Sequence, residues 1–185
     1  MSGLRIIAGT FKGRRLAAPH GLATRPLPDR VKQSLFDWLG QRLDGLRVID
    51  CCAGSGAFAF EALSRGAARV DAIEPGAHAV PVLRANAAKL GSPSGLVVHA
   101  RPFQAVLPGL RDADLVFADP PFAWYRAEQA VLVDLLRLGS EALAAEGRLV
   151  IRGERGVDLP GVPSRLVERE RRTYGRSWLA LLERA

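Results

Sequence analysis

Long apolar runs are missing from this 185-residue sequence. None reaches the roughly 18 residues that a membrane-spanning helix needs, which excludes a helical span. The opening stretch, MSGLRIIAGTFKGRR, has no apolar core followed by a small-residue cleavage site, so no signal peptide is expected and the cytoplasm is the expected compartment. Cysteine is scarce: Cys51 and Cys52 are the only two, and they are adjacent. Neighbouring cysteines bridge poorly because the geometry is strained. No CxxC or Cys/His spacing suggests zinc, so no metal site is expected. The three histidines, His20, His78 and His99, are scattered and read as surface or edge positions. Internal repeats and low-complexity segments are absent.

What is present suits one domain with a small appendage. The chain is 48% hydrophobic and 24% charged, enough to fold around a core. The formal charge of +7 is unevenly spread. Residues 1–45 hold eight basic against three acidic residues, residues 46–147 nine against eleven, and residues 148–185 nine against five. Both ends are therefore basic around a slightly acidic middle. A basic surface attracts phosphate backbones by counterion release, although a solubilising arginine-rich surface gives the same charge.

The N-terminal stretch reads as a hairpin, Arg5–Ala8 and Arg14–Ala17 around a Gly9–Gly13 turn. A helix is expected from Asp29, capped by that residue, with Val31, Leu35, Trp38 and Leu39 in helical spacing and a stop at Gly40. Strands and helices then alternate. LRVIDC, RVDAIE, GLVVHA, DLVFAD and GRLVIR read as strands; Phe58–Arg65, His78–Leu90 and a long amphipathic Tyr125–Leu138 read as helices. That alternation predicts an α/β fold, a parallel sheet with helices on both faces. The tail, SRLVERERRTYG and RSWLALLER, reads as a final hairpin through Gly175. Residues 1–45 form the expected N-terminal hairpin and helix extension, and residues 46–185 the main domain.

Three stretches carry the chemistry. In VIDCCAGSGAFAFEA the chain leaves a strand at Asp50 and turns through Gly54, Ser55 and Gly56 into a helix. Glycines allow close approach of a ligand to the backbone, and a helix N-terminus offers unpaired N–H groups. About 20 residues on, Glu74 ends the next strand, where an acid accepts both hydroxyls of a ribose. Nicotinamide dinucleotides and S-adenosylmethionine both carry that ribose. Asp50 favours the second, because an acid before the loop suits a cationic amino group and repels a pyrophosphate. The third stretch is Asp119-Pro120-Pro121-Phe122, expected on the same sheet edge. An exocyclic amine on a base is a poor nucleophile because its lone pair is delocalised into the ring. Asp119 and the carbonyl of Pro120 would accept its hydrogens, the prolines would fix that carbonyl, and Phe122 would offer a stacking face. Methyl donor and amine held in line would react by proximity and orientation.

Taken together, RIIAGTFKGRRL, TRPLPDRVKQSLFDWL, DCCAGSGAFAFEALSRGA, DPPF and YGRSWLALLER cover nearly the whole chain, and with them the sequence resembles the RsmD-type guanine-N2 methyltransferases of bacterial 16S ribosomal RNA. The glycine motif is common to very many methyltransferases; the two N-terminal motifs are the specific ones. The resemblance implies a Rossmann-like class I methyltransferase fold, with a seven-stranded, mostly parallel sheet ending in an antiparallel hairpin. It implies S-adenosylmethionine as cofactor at Asp50, Ala53, Gly54, Ser55, Gly56, Glu74 and Asp119, with Arg101 and Phe103 as the further cofactor candidates after the third strand. It implies a catalytic loop of Asp119, Pro120, Pro121 and Phe122. It also puts Arg25 and Arg30 near cofactor or RNA, with Arg14, Arg15 and Tyr174 as further RNA candidates from the basic ends. The partner implied is 16S rRNA or the small ribosomal subunit, with no metal, no membrane, and a monomer as the default.

One position departs from the general pattern. Many class I methyltransferases carry an acid after the third strand to accept from the adenine amine. Here VVHARPFQAVL places Arg101, which cannot accept a hydrogen bond. A backbone carbonyl and packing on Phe103 are the alternatives for that wall. Other substrates remain open on the residues alone, namely adenine-N6 in DNA or a protein glutamine. Those groups usually carry Asn where this chain has Asp119. A nicotinamide-dependent oxidoreductase would lack a visible hydride-site pair such as Tyr-x-x-x-Lys. A non-catalytic RNA-binding or assembly module would not need the intact Asp119–Phe122 loop.

Overall fold

In this computed structural model, residues 4–18 and 27–185 are described. Arg25 and His20 lie outside them. The elements in chain order are α1 (Asp29–Leu39), β1 (Arg47–Cys51), α2 (Ala57–Ser64), β2 (Arg69–Ile73), α3 (Ala79–Lys89), β3 (Leu96–His99), α4 (Phe103–Val106), β4 (Ala113–Ala118), α5 (Trp124–Ala127), α6 (Gln129–Ala142), β5 (Leu143–Glu154), β6 (Leu166–Tyr174) and β7 (Ser177–Arg184). The strands form one seven-stranded sheet in the order β3-β2-β1-β4-β5-β7-β6. β1 to β5 pair in parallel, and β7 runs antiparallel to both β5 and β6. This is the architecture that the resemblance implied.

Strand alternation sorts the side chains into two cores. Val48, Val70, Ala72, Leu115, Phe117, Val150, Leu179 and Leu181 pack under α1 and α2 and the Leu83 side of α3. Their chain neighbours Ile49, Cys51, Ile73, Val116, Ala118, Leu149, Ile151, Ala180 and Leu182 pack under α4, α5 and α6. The central strands are buried on both faces, which is why they read as nearly unbroken apolar runs. No helix among the described residues is long and apolar enough to cross a membrane.

The register also sets the functional edge. Cys51 pairs with Ile73 and with Ala118, and Ala118 pairs with Ile151. The next residue along each strand is therefore level: Cys52, Glu74, Asp119 and Arg152. Open parallel sheets bind ligands at this carboxyl edge.

Three local expectations are revised. The N-terminal segment folds back as expected, with Ile6 N–H donating to Arg14 O (3.0 Å) and Leu16 N–H to Leu4 O (2.8 Å), but only the Arg5–Arg15 bridge is regular. Asp29 is not the cap of α1; Pro28 occupies that place, with no side-chain cap bond. Asp29 is instead the first helical residue, where its charge favours the helix dipole, and it takes Arg5 at 2.7 Å and Lys32 at 3.3 Å. The long Tyr125–Leu138 helix is two helices, broken at Glu128 (φ −134°, ψ 43°). The apolar spacing runs through the break because Tyr125, Leu132, Leu135 and Leu136 all bury into the same core.

A buried ionic cluster fastens the N-terminal segment to α2. The Glu61 carboxylate accepts the N–H of Ile7 (2.9 Å) and of Ala8 (3.1 Å) and the Arg65 Nε–H (2.9 Å). Lys32 Nζ lies 3.9 Å away and donates to the Arg5 carbonyl. Gly9 must be glycine here: its φ is +77°, and a Cβ would lie 1.7 Å from the Ser64 carbonyl oxygen. Removing one member of a buried ion cluster leaves the others uncompensated, at a cost of about 3–5 kcal/mol. Glu61→Ala should therefore lose about 3–5 kcal/mol in urea unfolding, and a loss below about 1 kcal/mol would contradict this account of how the segment is held.

Candidate functional site

After β1 the chain turns through left-handed conformations at Cys52 (φ 64°), Gly54 (φ 56°) and Gly56 (φ 81°) before entering α2. The two glycines serve different ends. A Cβ on Gly56 would meet the Phe60 ring at 2.5 Å, so this glycine lets α2 close on its own start. A Cβ on Gly54 would meet nothing within 4 Å; its backbone faces open space, as a ligand-approaching glycine would. Ala53 N–H donates to Ile73 O (3.0 Å), pinning the turn to β2. Ser55 O accepts from Asn86 Nδ2 (3.0 Å), and Asn86 also exchanges bonds with the backbone of Ala17 at 2.8 and 3.0 Å. Asn86 thus joins the N-terminal arm to the glycine turn.

Three carboxyl groups converge at this edge. Glu74 accepts the N–H of Gly54 on one oxygen and that of Gly76 on the other, both at 2.7 Å. Each oxygen keeps a lone pair for a further donor. Asp50 is buried, and its Oδ2 accepts the Ala59 N–H (3.0 Å) in the first turn of α2. Burial drives its carboxyl well above the ordinary carboxylate range; the Ala59 bond opposes this, and the charges of Asp119 and Glu74 add to it. Asp50 therefore braces the helix start behind the glycine turn instead of presenting its carboxylate at the surface. Asp119 follows β4, with Arg152 Nη1 at 3.0 Å from Oδ2 and 3.4 Å from Oδ1. Burial raises its pKa, and the Arg152 charge and hydrogen bond pull it back down.

Beside Glu74 lies a cavity of about 200 Å³, lined by Ile73, Pro75, Pro102, Phe103 and Trp124 among others. Its walls are mostly apolar, and the Phe103 and Trp124 ring centroids are 6.1 Å apart. Phe103 is thus where the sequence expected an adenine wall. Arg101 is exposed and does not line this space. On the other side of Asp119, the Phe122 ring is half-buried and meets Tyr125 edge-on at 6.4 Å. Pro120 is buried and Pro121 exposed in the same turn.

The remaining basic candidates are spread out. Arg30 is exposed on the first turn of α1. Arg14 donates to the Lys89 carbonyl (2.8 Å), and Arg15 is exposed, with its own carbonyl accepting from Lys89 Nζ (2.7 Å). Both sit at the C-terminal end of α3, the end away from the carboxyl edge. The Tyr174 hydroxyl bonds Ser34 Oγ at 2.5 Å and ties β6 to α1. Among the described residues no group of three or more His, Cys, Asp or Glu could hold a metal ion. The residue that sequence reasoning passed over is Arg152. The sequence carries only a weak signal of it, a cation following the apolar run LVI; the register that sets it level with Asp119 is visible only in the sheet.

The comparisons with known proteins agree with one another. The model of the family described as Conserved hypothetical protein 95 matches residues 4–183. Ribosomal RNA small subunit methyltransferase D of Escherichia coli (strain K12) is 35% identical over 161 residues, covering 87% of this chain and 80% of that protein. The protein of the same name in Haemophilus influenzae is 38% identical over 136 residues, covering 69% and 68%. Among solved structures, a hypothetical protein of Thermus thermophilus superposes with a TM-score of 0.79 at 33% identity, over 97% of this chain and 98% of that one. A family match that runs from residue 4 to residue 183 leaves almost nothing of the sequence outside it, and the chain belongs to the Conserved hypothetical protein 95 family, that of the RsmD-type methyltransferases.

Proposed function

We propose that this methyltransferase uses S-adenosylmethionine to methylate the exocyclic N2 amine of a guanine in 16S ribosomal RNA, presented on the small subunit. The relatives named as small-subunit rRNA methyltransferases support the RNA class. The observation that carries the base is the acceptor-only chemistry beside the cofactor edge. An ionised Asp119 carboxylate accepts and never donates. Guanine offers two adjacent donors, N1–H and the N2 amine. Adenine offers an amine next to a ring nitrogen whose lone pair would face the carboxylate.

The residues present fit the cofactor. Glu74 has a free lone pair on each oxygen for a ribose diol, Gly54 leaves its backbone open, and the cavity at Phe103 and Trp124 takes a flat apolar ring. When bound there, S-adenosylmethionine supplies a methyl group already activated for transfer, so no metal is required. The chain's own residues do the rest. Phe122 stacks the base, worth about 1–3 kcal/mol. Asp119 and the Pro120 carbonyl take the amine hydrogens, and the two fixed-φ prolines hold that geometry. Asp119 then receives the proton that the amine releases, a task that its upward-shifted pKa suits. The basic ends of the chain, five and four positive charges in excess, draw in the RNA backbone.

Three outcomes follow. Labelled S-adenosylmethionine, small subunits from a strain lacking this gene, and naked 16S RNA in parallel should yield N2-methylguanosine on nucleoside mass spectrometry. N6-methyladenosine instead, or no transfer to either RNA, would overturn the reading. Glu74→Ala should weaken S-adenosylmethionine binding by about 10- to 100-fold in calorimetry, the loss of a charge-assisted contact of about 1.5–3 kcal/mol. Asp119→Ala should abolish transfer and leave cofactor affinity within about threefold of wild type, a difference under 1 kcal/mol; an active Asp119→Ala would remove it from the mechanism.

A further inference from the structure

We propose that Arg152 is the positioning residue for Asp119, keeping the acceptor carboxylate ionised and locking it beside the Phe122 ring. The inference rests on the reading of Asp119 as the amine acceptor and goes beyond it to a residue on another strand.

The geometry is specific. β5 is apolar through Leu149, Val150 and Ile151 and then places a guanidinium at the functional edge. The Arg152 side chain is 10% exposed, and Asp119 27%. Nη1 reaches both carboxylate oxygens, at 3.0 and 3.4 Å. The same guanidinium carbon lies 5.3 Å from the Phe122 ring centroid, within cation–π range. One planar cation thus touches both the acceptor and the stacking ring. A lysine, as a point charge on a flexible stem, would reproduce the charge on Asp119 but not the planar group facing the Phe122 ring.

The surroundings explain why a cation is needed. Asp119 shares its edge with Asp50 and Cys52 from β1 and its turn, Glu74 from the end of β2, and Tyr125 from α5. Cys51 lies behind them at the end of β1. From β5, Glu154 is engaged by Arg126 at 2.6 Å, and from β6, Arg171 acts on Tyr125. Apart from Arg171 and the Arg126 taken up by Glu154, these neighbours of Asp119 are acids or weak acids, and burial adds to their effect. Without Arg152 the carboxyl would hold a proton to higher pH. A protonated carboxyl presents an O–H to the amine and ceases to be acceptor-only.

A nearby cation favours the charged form of an acid, so removing Arg152 raises the pH at which Asp119 ionises. The acid limb of the rate profile then moves upward. The test combines a carboxyl ¹³C NMR titration of Asp119, assigned with Asp119→Asn, and single-turnover rates from pH 5 to 9. In Arg152→Met the Asp119 midpoint rises, and transfer falls about tenfold or more at pH 6 but within about threefold at pH 9. Arg152→Lys restores the positive charge, so the Asp119 midpoint returns towards wild type and transfer at pH 6 recovers relative to Arg152→Met. If Arg152→Met does not fold, Arg152→Gln gives the same readout. An unmoved Asp119 midpoint would overturn the proposal. A midpoint that moves while the acid limb of transfer stays would uphold the Arg152 hold and overturn Asp119 as the acceptor.

Discussion

Three carboxyl groups, Asp50, Glu74 and Asp119, meet at the carboxyl edge of one parallel sheet, and like charges in a partly buried place repel. The fold answers with a separate donor for each. Asp50 takes the Ala59 N–H at the start of α2, Glu74 takes the Gly54 and Gly76 N–H groups, and Asp119 takes the Arg152 guanidinium. These donors come from the turns after β1 and β2, from α2 and from β5, so the acid cluster and the central sheet define each other. The pairing of Cys51 with both Ile73 and Ala118 is what brings the acids level.

The N-terminal arm takes part in this arrangement. Glu61 and Arg65 hold it on α2, and Asn86 stitches Ala17 to the carbonyl of Ser55 inside the glycine turn. α1 is pinned to β6 through Ser34 and Tyr174, and Trp38 donates to Glu170 at 2.8 Å. The segment that carries the most specific sequence motifs is thus bonded to the glycine turn at the carboxyl edge. Of the basic residues expected to meet RNA, Arg14 donates from its guanidinium to the Lys89 carbonyl at the far end of α3, while Arg15 lends only its backbone carbonyl to Lys89 and keeps its side chain exposed. The Tyr174 hydroxyl is similarly used within the fold.

The sheet and its edge were legible because they rest on short-range patterns. Apolar strands alternating with amphipathic helices gave the parallel order, and acids at strand ends gave Asp50, Glu74 and Asp119. What was not legible depends on partners distant in sequence. Asp29 looks like a cap until Arg5, 24 residues away, is seen to take its carboxylate. Tyr125–Leu138 looks like one helix because both halves bury into one core, and periodicity does not register a change of direction. Arg152 sat unnoticed in a strand because its meaning comes from register: pairing Ala118 with Ile151 sets it beside Asp119. The stretch after β3 shows the converse, since Arg101 marked where an acid was lacking, and the apolar cavity lies around Phe103 two residues further on.

The most direct test of this account is a crystal structure of the protein with S-adenosylhomocysteine and guanosine monophosphate. The account predicts ribose hydroxyls on Glu74, the adenine against Phe103, and the N1–H and N2 edge of the guanine on Asp119, with its ring stacked on Phe122. A cofactor bound away from Glu74, or a guanine whose N2 amine points away from Asp119, would contradict it.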